Sequence, residues 1–379
     1  MNIAVVFGGV SCEHDISIIT ACQVMNVLRE KHEVIPIYID KDGVWRTGEN
    51  LVKIEAFSNG LGKTNEVMFS NSNHILYIKR LGKFRKMLEI DMVFLALHGK
   101  NGEDGAAASI FELNGIPYAN AGICSSAVAC DKAIFKEFVK GLRLPCVKSF
   151  TLTKDCFKYK KEEVLNLLEN RIGFPLIIKP ANLGSSIGIS VVQNKEKLQE
   201  QLFGAFEFDN KLLIEKYVQD MREINIAIYR KNSELVISEL EEPVKSAELL
   251  SFKDKYETKN KSLGMASLKR KIPADIPSDI KEKIIKIAVR CYKALDLFGI
   301  CRFDFILDSD NKVYLNEVNT IPGSYAFYLF EPKGKNFQMI LEDQISEAKH
   351  RSIAKKKLIN TFESSTLKNL KLSGTKGKF

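Results

Sequence analysis

Nowhere in its 379 residues does this chain carry an apolar run of about 18 residues, the length a helix needs to span a bilayer, so no membrane segment is expected. The start, MNIAVVFGG, enters a strand directly and lacks the charged region and cleavage site of a secretory leader. Eight cysteines are scattered without a C-x-x-C pair, which excludes a zinc site and a disulfide framework and suits a reducing, cytoplasmic setting. No internal repeat is visible, which excludes a solenoid. An even spread of basic charge is missing as well. The formal net charge is +9, but from Ser346 onward nine Lys and Arg face only two acidic residues, so the body carries about +2. Without interleaved aromatics, the stretch KHRSIAKKKLINTFESSTLKNLKLSGTKGKF reads as a solvated, partly disordered basic tail over 346–379, not a nucleic-acid arm.

What remains is an ordinary globular composition on a chain long enough for two or three domains. The first third alternates strand and helix: NIAVVFGG, then ISIITACQVMNVLREK, then HEVIPIYID. Residues 43–86 are irregular and polar, and read as a peripheral hairpin insertion. IDMVFLALHG returns as a buried strand before the helical DGAAASIFELNG and a short IPYA. This alternation predicts a parallel α/β sheet with loops at its carboxyl edge. From CSSAVACDKAIFKEFVKGLRLP onward the pattern becomes antiparallel, with strands GFPLIIKP, GISVVQN and KLLIEKYV and a helix near 195–203. EINIAIYR and ELVISELEE follow, then a polar loop, the helix PSDIKEKIIKIAVRCYKALDLF, and the strands GICRFDFILD and KVYLNEVN.

The stretch IIKPANLGSSIGIS admits two chemistries. Its GSSIG matches the nucleophile elbow G-x-S-x-G, with Ser186 attacking. Equally, a lysine ending an apolar strand and followed by small residues with free N–H groups is a clamp for ATP phosphates. Burying Lys179 without an anionic partner would be expensive, unless it simply snorkels at the strand end. Order decides between them. An α/β-hydrolase needs a histidine after its serine, and of the five histidines only His350 follows Ser186, in the basic tail. The first loop, FGGVSCEHDIS, is neither a G-x-G-x-x-G nor a Walker A sequence. Glu13 and His14 there read as substrate contacts, with a plain helix cap by Ser11 or Asp15 as the bland alternative.

The sharpest constellation is CRFDFILDSDNKVYLNEVN. If Asp310-Asn311 is a two-residue turn, Ser309 faces Lys312, Asp304 lies opposite Glu317, and Arg302 lies opposite Asn319. Alternation along the strands then projects all four from one face. Two carboxylates and an amide oxygen form a hard, oxygen-only set that suits Mg²⁺ when phosphates complete its shell. The arginine supplies a fixed cation for phosphoryl or oxyanion charge. A cross-strand salt-bridge ladder is the alternative, but it leaves an Asp–Glu pair of like charge unexplained.

VVFGGVSCEHDIS, LALHGKNGEDG, ACDKAIFKEF, IIKPANLGSSIGIS, DKY, CRFDFIL and YLNEVNTIPG occur in this order, and the chain from about residue 1 to 345 resembles the D-alanine–D-alanine ligases of the ATP-grasp superfamily. The resemblance implies a mixed α/β and α+β, three-domain ATP-grasp fold with an N-terminal parallel α/β (pre-ATP-grasp) domain. The expected divisions are 1–128 for substrate, 129–221 and 222–345 for the two ATP-grasp subdomains, the last with the metal site, and the tail. It implies an ADP-forming carbon–nitrogen ligase for cell-wall peptidoglycan synthesis. One D-alanine carboxylate is phosphorylated by ATP, and the amine of a second displaces phosphate through a tetrahedral intermediate. Carried over by position, Lys132, Lys179 and Lys255 look like the phosphate lysines, with Ser186 in the phosphate loop. Glu215, Lys216 and Val218 would line the adenine pocket and Glu223 would bind ribose. Asp304, Glu317 and Asn319 resemble ligands for two Mg²⁺ ions, which Mn²⁺ could replace. Glu13 would bind the first amino group and join Ser185 and Tyr256 in a hydrogen-bonded triad. His98 would contact substrate. Arg302 and the Gly323 N–H would hold the oxyanion. After Gly323 the family commonly has a serine and then Leu or Met for the second carboxylate. This chain has Tyr328 and Leu329 there, which leaves the second substrate open to another amino acid. Its adenine hinge, EKYVQDMRE, is one residue longer than usual, and its lid loop reads LLSFKDKY. A non-catalytic ATP-binding paralogue is the remaining alternative. The partners implied are small molecules, with no nucleic acid or membrane, and a homodimer is a family expectation.

Overall fold

Strand β1 (Asn2–Gly8) is apolar over Ile3 to Phe7, and those side chains are fully buried because the strand lies inside a sheet covered on both faces. The structure, a computed structural model, describes residues 1–70, 74–244 and 270–364. β1 pairs in parallel with β2 (Glu33–Ile39), reached through the crossover helix His14–Leu28, and on its other side with β7 (Met92–Leu95). A parallel bridge from Val93 to Tyr118 accounts for the short IPYA segment. The parallel part ends there.

The segment read as an irregular insertion instead extends the same sheet. β3 (Trp45–Thr47), β4 (Asn65–Phe69), β5 (Ile75–Arg80) and β6 (Lys83–Glu89) complete the order β6-β5-β4-β3-β2-β1-β7. Turn chemistry builds this antiparallel half. Asp40 accepts the N–H groups of Asp42 and Val44 to start the β2–β3 hairpin. Leu81 and Gly82, both at positive φ, make the two-residue β5–β6 turn. Exposed Lys83, Arg85 and Lys86 guard the outer edge of β6, so a strand that looks polar in sequence is an edge strand.

A second, antiparallel sheet takes the order β10-β9-β11-β8, from β8 (Ser149–Thr153), β9 (Leu176–Pro180), β10 (Ser190–Val192) and β11 (Lys211–Lys216). Helices Lys161–Arg171 and Lys195–Ala205 cover one face with Leu168, Leu198 and Leu202. The third sheet contains β12 (Arg222–Lys231), β13 (Glu234–Ile237), β16 (Cys301–Leu307) and β17 (Val313–Asn319), in the order β13-β12-β16-β17. The amphipathic helix Ser278–Ala294 packs Ile284, Ala288 and Cys291 against it. A short pair, β14 (Glu242–Pro243) with β15 (Arg270–Lys271), flanks β12. Among the described residues no helix is long and apolar enough to cross a membrane.

The tail expected from residue 346 is corrected over its first part. Helix Phe337–Lys356 runs through that point, with Glu347 and Ala348 buried. Arg351 donates to the carbonyls of Tyr118 and Asn120 at 2.8 and 3.1 Å and lies between the Tyr118 and Phe298 rings. Its charge reads as a solvated tail in sequence, but the guanidinium fastens the helix to the N-terminal domain.

Candidate active site

The β16–β17 hairpin places its four polar residues as expected but by a different route. The turn is three residues, Ser309 to Asn311, closed between Asp308 and Lys312, with Asn311 at φ 61°. Asp308 takes the Asp310 and Lys312 N–H groups, which favours the longer loop. That loop alone would shift the register by one. A bulge between Asp304/Phe305 and their partners shifts it back, so Arg302 pairs with Asn319 and Asp304 with Glu317. The extra residue is Asn316.

Asn316 has a use. Its side-chain Oδ1 accepts from Lys179 Nζ at 3.2 Å and its carbonyl from Lys136 Nζ at 3.4 Å. Both lysines also hold Glu215, Lys136 at 2.8 Å on Oε1 and Lys179 at 2.6 Å on Oε2. Burial alone would raise the Glu215 pKa, but the two ammonium groups prevail and bring it down to about 2. Two cations around one carboxylate leave net positive charge at the wall of a cleft. That cleft, between the second and third sheets, has an apolar slot of Val147, Ile177, Val218, Met221 and Ile306, with Lys216 and Glu223 also lining it. Lys216 donates to the Phe174 carbonyl at 2.6 Å.

A second cavity adjoins the first, sharing Lys132, Leu183, Gly184, Ser185, Arg302 and Glu317 with it. Lys132 opens the helix Lys132–Gly141, whose N-cap Asp131 accepts the Ala133 and Ile134 N–H groups. Lys132 Nζ donates to the Leu183 carbonyl at 2.8 Å and stands 3.5 Å from Glu317. Burial opposes its charge, yet Glu317 and nearby acids hold its pKa above the ordinary lysine value. From the opposite wall comes Glu13, hydrogen-bonded by the Ser185 hydroxyl. Burial and the Glu103 carboxylate raise the Glu13 pKa, against Ser185, His98 and Lys132. A Cβ on Gly184 would come within 3.0 Å of both Glu13 oxygens, so only glycine lets the loop approach this closely. Ser186 lies in the loop joining the antiparallel neighbours β9 and β10, not on a strand-to-helix turn, so the geometry also excludes the nucleophile elbow.

Arg302 forks Asp304 with two bonds of 2.7 Å, and Asn319 Nδ2 donates to Asp304 at 3.0 Å. Burial disfavours the arginine's charge, but Asp304 holds its pKa well above the usual value. Burial, with the Glu317 and Glu223 charges, pushes the Asp304 pKa up to about 6 against the pull of Arg302. Crowded carboxylates of this kind are relieved by a cation. Asp304, Glu317 and Asn319 offer only oxygen as donors, so the set fits a hard dication. No group of three or more His, Cys, Asp or Glu forms a candidate metal cluster among the described residues, and here the third donor is an amide.

Gly323, also lining the second cavity, opens an unusual turn. Ser324, Tyr325 and Ala326 are all left-handed, with φ of 53°, 50° and 48°, a conformation costing roughly 1–2 kcal/mol per residue. His98 lines the same cavity. Tyr328 and Leu329 do not line either cavity. The Tyr328 hydroxyl points to Glu241 at 3.4 Å, its ring lies 3.9 Å under the Arg270 guanidinium, and Leu329 is fully buried in the core. Both side chains are thus packed against protein groups, with the Tyr328 ring and hydroxyl beside Arg270 and Glu241. His14 is corrected. It is buried, donates from Nδ1 to the Gly9 carbonyl at 2.6 Å and accepts from the Tyr38 hydroxyl at Nε2, 3.0 Å away, so it shapes the loop instead of facing substrate. Ser11 accepts the Glu13 N–H at 3.1 Å but does not cap the helix. Lys255 and Tyr256 lie outside the described residues.

Lys136, Asn316 and Glu103 were not evident from sequence. Lys136 sits one helical turn after Lys132, and that i,i+4 spacing was the available signal. Nothing local marks Asn316 as a bulge.

Two family models match the chain: "D-ala D-ala ligase N-terminus" over residues 2–121 and "D-ala D-ala ligase C-terminus" over 138–346. The D-alanine–D-alanine ligase of Thermosipho melanesiensis is 38% identical over 358 residues, covering 94% of this chain and 96% of its own. Among solved structures, the D-alanine-D-alanine ligase from Coxiella burnetii superposes with a TM-score of 0.77 at 25% identity, covering 94% of this chain and 96% of that one. The VanG D-Ala:D-Ser ligase from Enterococcus faecalis reaches 0.75 at 30% identity, covering 92% and 99%.

Proposed function

We infer that this chain, which belongs to the D-alanine–D-alanine ligase family, is an ATP-dependent ligase that joins two D-alanines into D-alanyl-D-alanine for peptidoglycan synthesis. One observation carries the reading. Arg302, Asp304, Glu317 and Asn319 share one sheet face, and Lys132 and Lys179 approach it from the helix and strand opposite. Such a cleft holds a polyphosphate next to a developing oxyanion.

The adenine enters the apolar slot beside Val218, with the Glu215–Lys216 strand end and Glu223 at its rim. Lys179 and Lys132 take phosphate oxygens, and Lys255 joins them. Glu13, poor in compensating charge, takes the ammonium group of the first D-alanine and is held in place by Ser185 and Tyr256, with His98 alongside. The first carboxylate attacks the γ-phosphorus and ADP leaves. The second amine then attacks the acyl carbon, Arg302 and the Gly323 N–H hold the oxyanion, phosphate leaves with the acyl C–O bond, and the amine proton passes to solvent. Asp304, Glu317 and Asn319 would hold Mg²⁺. When bound it neutralises phosphate charge. A cytoplasmic setting and a homodimer belong to the same proposal and are carried by the resemblance.

The test is phosphate release with ATP, Mg²⁺ and a panel of D- and L-amino acids, with mass spectrometry of the products. D-Alanyl-D-alanine from D-alanine alone is expected. Phosphate release only with a different second amino acid would move the substrate assignment. No turnover across the panel, with ATP still bound, would leave a binding protein.

A further inference from the structure

We propose that Thr20 is a positioning residue that ties His98, on the first-substrate side of the cleft, to the turn that carries the Gly323 N–H. The inference rests on the ligase reading above and extends it to a side chain that lines neither cavity. Thr20 is buried on the helix His14–Leu28, and its hydroxyl has two partners. It stands 2.9 Å from His98 Nε2, and it accepts the Ser324 N–H at 3.3 Å.

The direction of the relay follows from its far end. The Glu103 carboxylate, 3.4 Å from His98 Nδ1, can only accept, so Nδ1 carries the proton. In the tautomer with its proton on Nδ1, Nε2 is the acceptor and the Thr20 O–H donates to it. That leaves the Thr20 oxygen's lone pairs free for Ser324. Each contact in the line Glu103–His98–Thr20–Ser324 thus has one donor and one acceptor, and the line joins β7's loop to the oxyanion turn through a single hydroxyl.

The turn needs holding. Its three left-handed residues persist only if the surroundings over-determine them. Tyr325 anchors the far side, donating to the Leu95 carbonyl at 2.8 Å and accepting from Asn120 Nδ2 at 3.3 Å. Thr20 anchors the near side, one residue from Gly323. Without the hydroxyl, a buried Ser324 N–H has no acceptor and His98 loses the donor that sets its ring. Both halves of the active site then loosen together.

Three substitutions separate this role from packing. Thr20→Val keeps the methyl and loses the hydroxyl, Thr20→Ser does the reverse, and Thr20→Ala loses both. With D-alanine and ATP as substrates, Thr20→Val and Thr20→Ala are expected to lower kcat about 10- to 100-fold with the KM for ATP within about twofold. Thr20→Ser is expected to stay within about threefold of the parent. A packing role predicts the opposite order, with Val active and Ser impaired, and that result would overturn the proposal. If the valine variant fails to fold, the Ser/Ala pair differs only in the hydroxyl, and equal activities for the two would overturn it as well. An active parent with an unimpaired Thr20→Val sinks this inference alone. A parent that makes no dipeptide with any amino acid sinks the ligase reading and this inference with it.

Discussion

Glu215 is nearly inaccessible, yet it carries a charge, and it can do so only because Lys136 and Lys179 each take one of its oxygens. Its pKa falls from 4.5 to about 2 on folding, so its share of stability is complete above about pH 4.5 and is lost as pH falls toward 2. Urea midpoints measured across that window should fall for the parent and fall less for Glu215→Gln. Removing one partner is harsher: Lys136→Met is expected to cost about 3–5 kcal/mol at pH 7, read from the same midpoints, because the carboxylate loses half its compensation. Glu317→Gln belongs to the chemistry instead. The change keeps the volume of a half-buried side chain, so the melting temperature should hold while phosphate release drops by about 10³-fold or more. Turnover at the parental rate would overturn the metal assignment. Sequence made Glu317 legible through its partner across the hairpin, whereas Lys136 read as one more lysine on a helix. Whether a lysine is solvated or buried depends on what packs against it, and Glu215 lies 79 positions further on.

Elements were legible where their signal is local. The apolar run of β1, the period of the helix Ser278–Ala294 and the alternation in β16 and β17 each predicted the observed element. The β16–β17 hairpin shows the limit of that reading, since a shorter expected turn and an unexpected bulge cancelled and left the right residues paired. The turn itself can be tested. Asn311 sits at φ 61°, which glycine tolerates and a β-branched residue does not. Asn311→Gly should leave stability within about 0.5 kcal/mol, and Asn311→Val should cost about 1–2 kcal/mol, both with unchanged kcat. Thermal and urea unfolding beside a turnover assay would decide it. Equal stabilities for the glycine and valine variants would overturn the left-handed assignment of Asn311.

At the scale of the whole molecule, the last helix joins the third sheet to the first domain. Arg351 holds two carbonyls of the Tyr118–Asn120 segment, and the neighbouring Lys355 pairs with Glu112 at the surface. Deleting residues 346–379 should therefore lower the melting temperature by several degrees, and Arg351→Ala alone should cost about 2–3 kcal/mol. A solvated tail predicts no change in either measurement. By itself the sequence determined the family motifs, the strand–helix order and the face on which Arg302, Asp304, Glu317 and Asn319 meet, because side-chain period and short spacing are properties of neighbours along a chain. Only the tertiary structure decided that Lys136 shares Glu215 with Lys179, that Tyr328 packs beside Arg270 and Glu241, that residues 45–89 extend the first sheet, and that Thr20 reaches the turn after Gly323. Those outcomes depend on which distant groups are brought into one low-dielectric space. There an unpaired donor or charge is too costly to leave, and no local pattern records its partner.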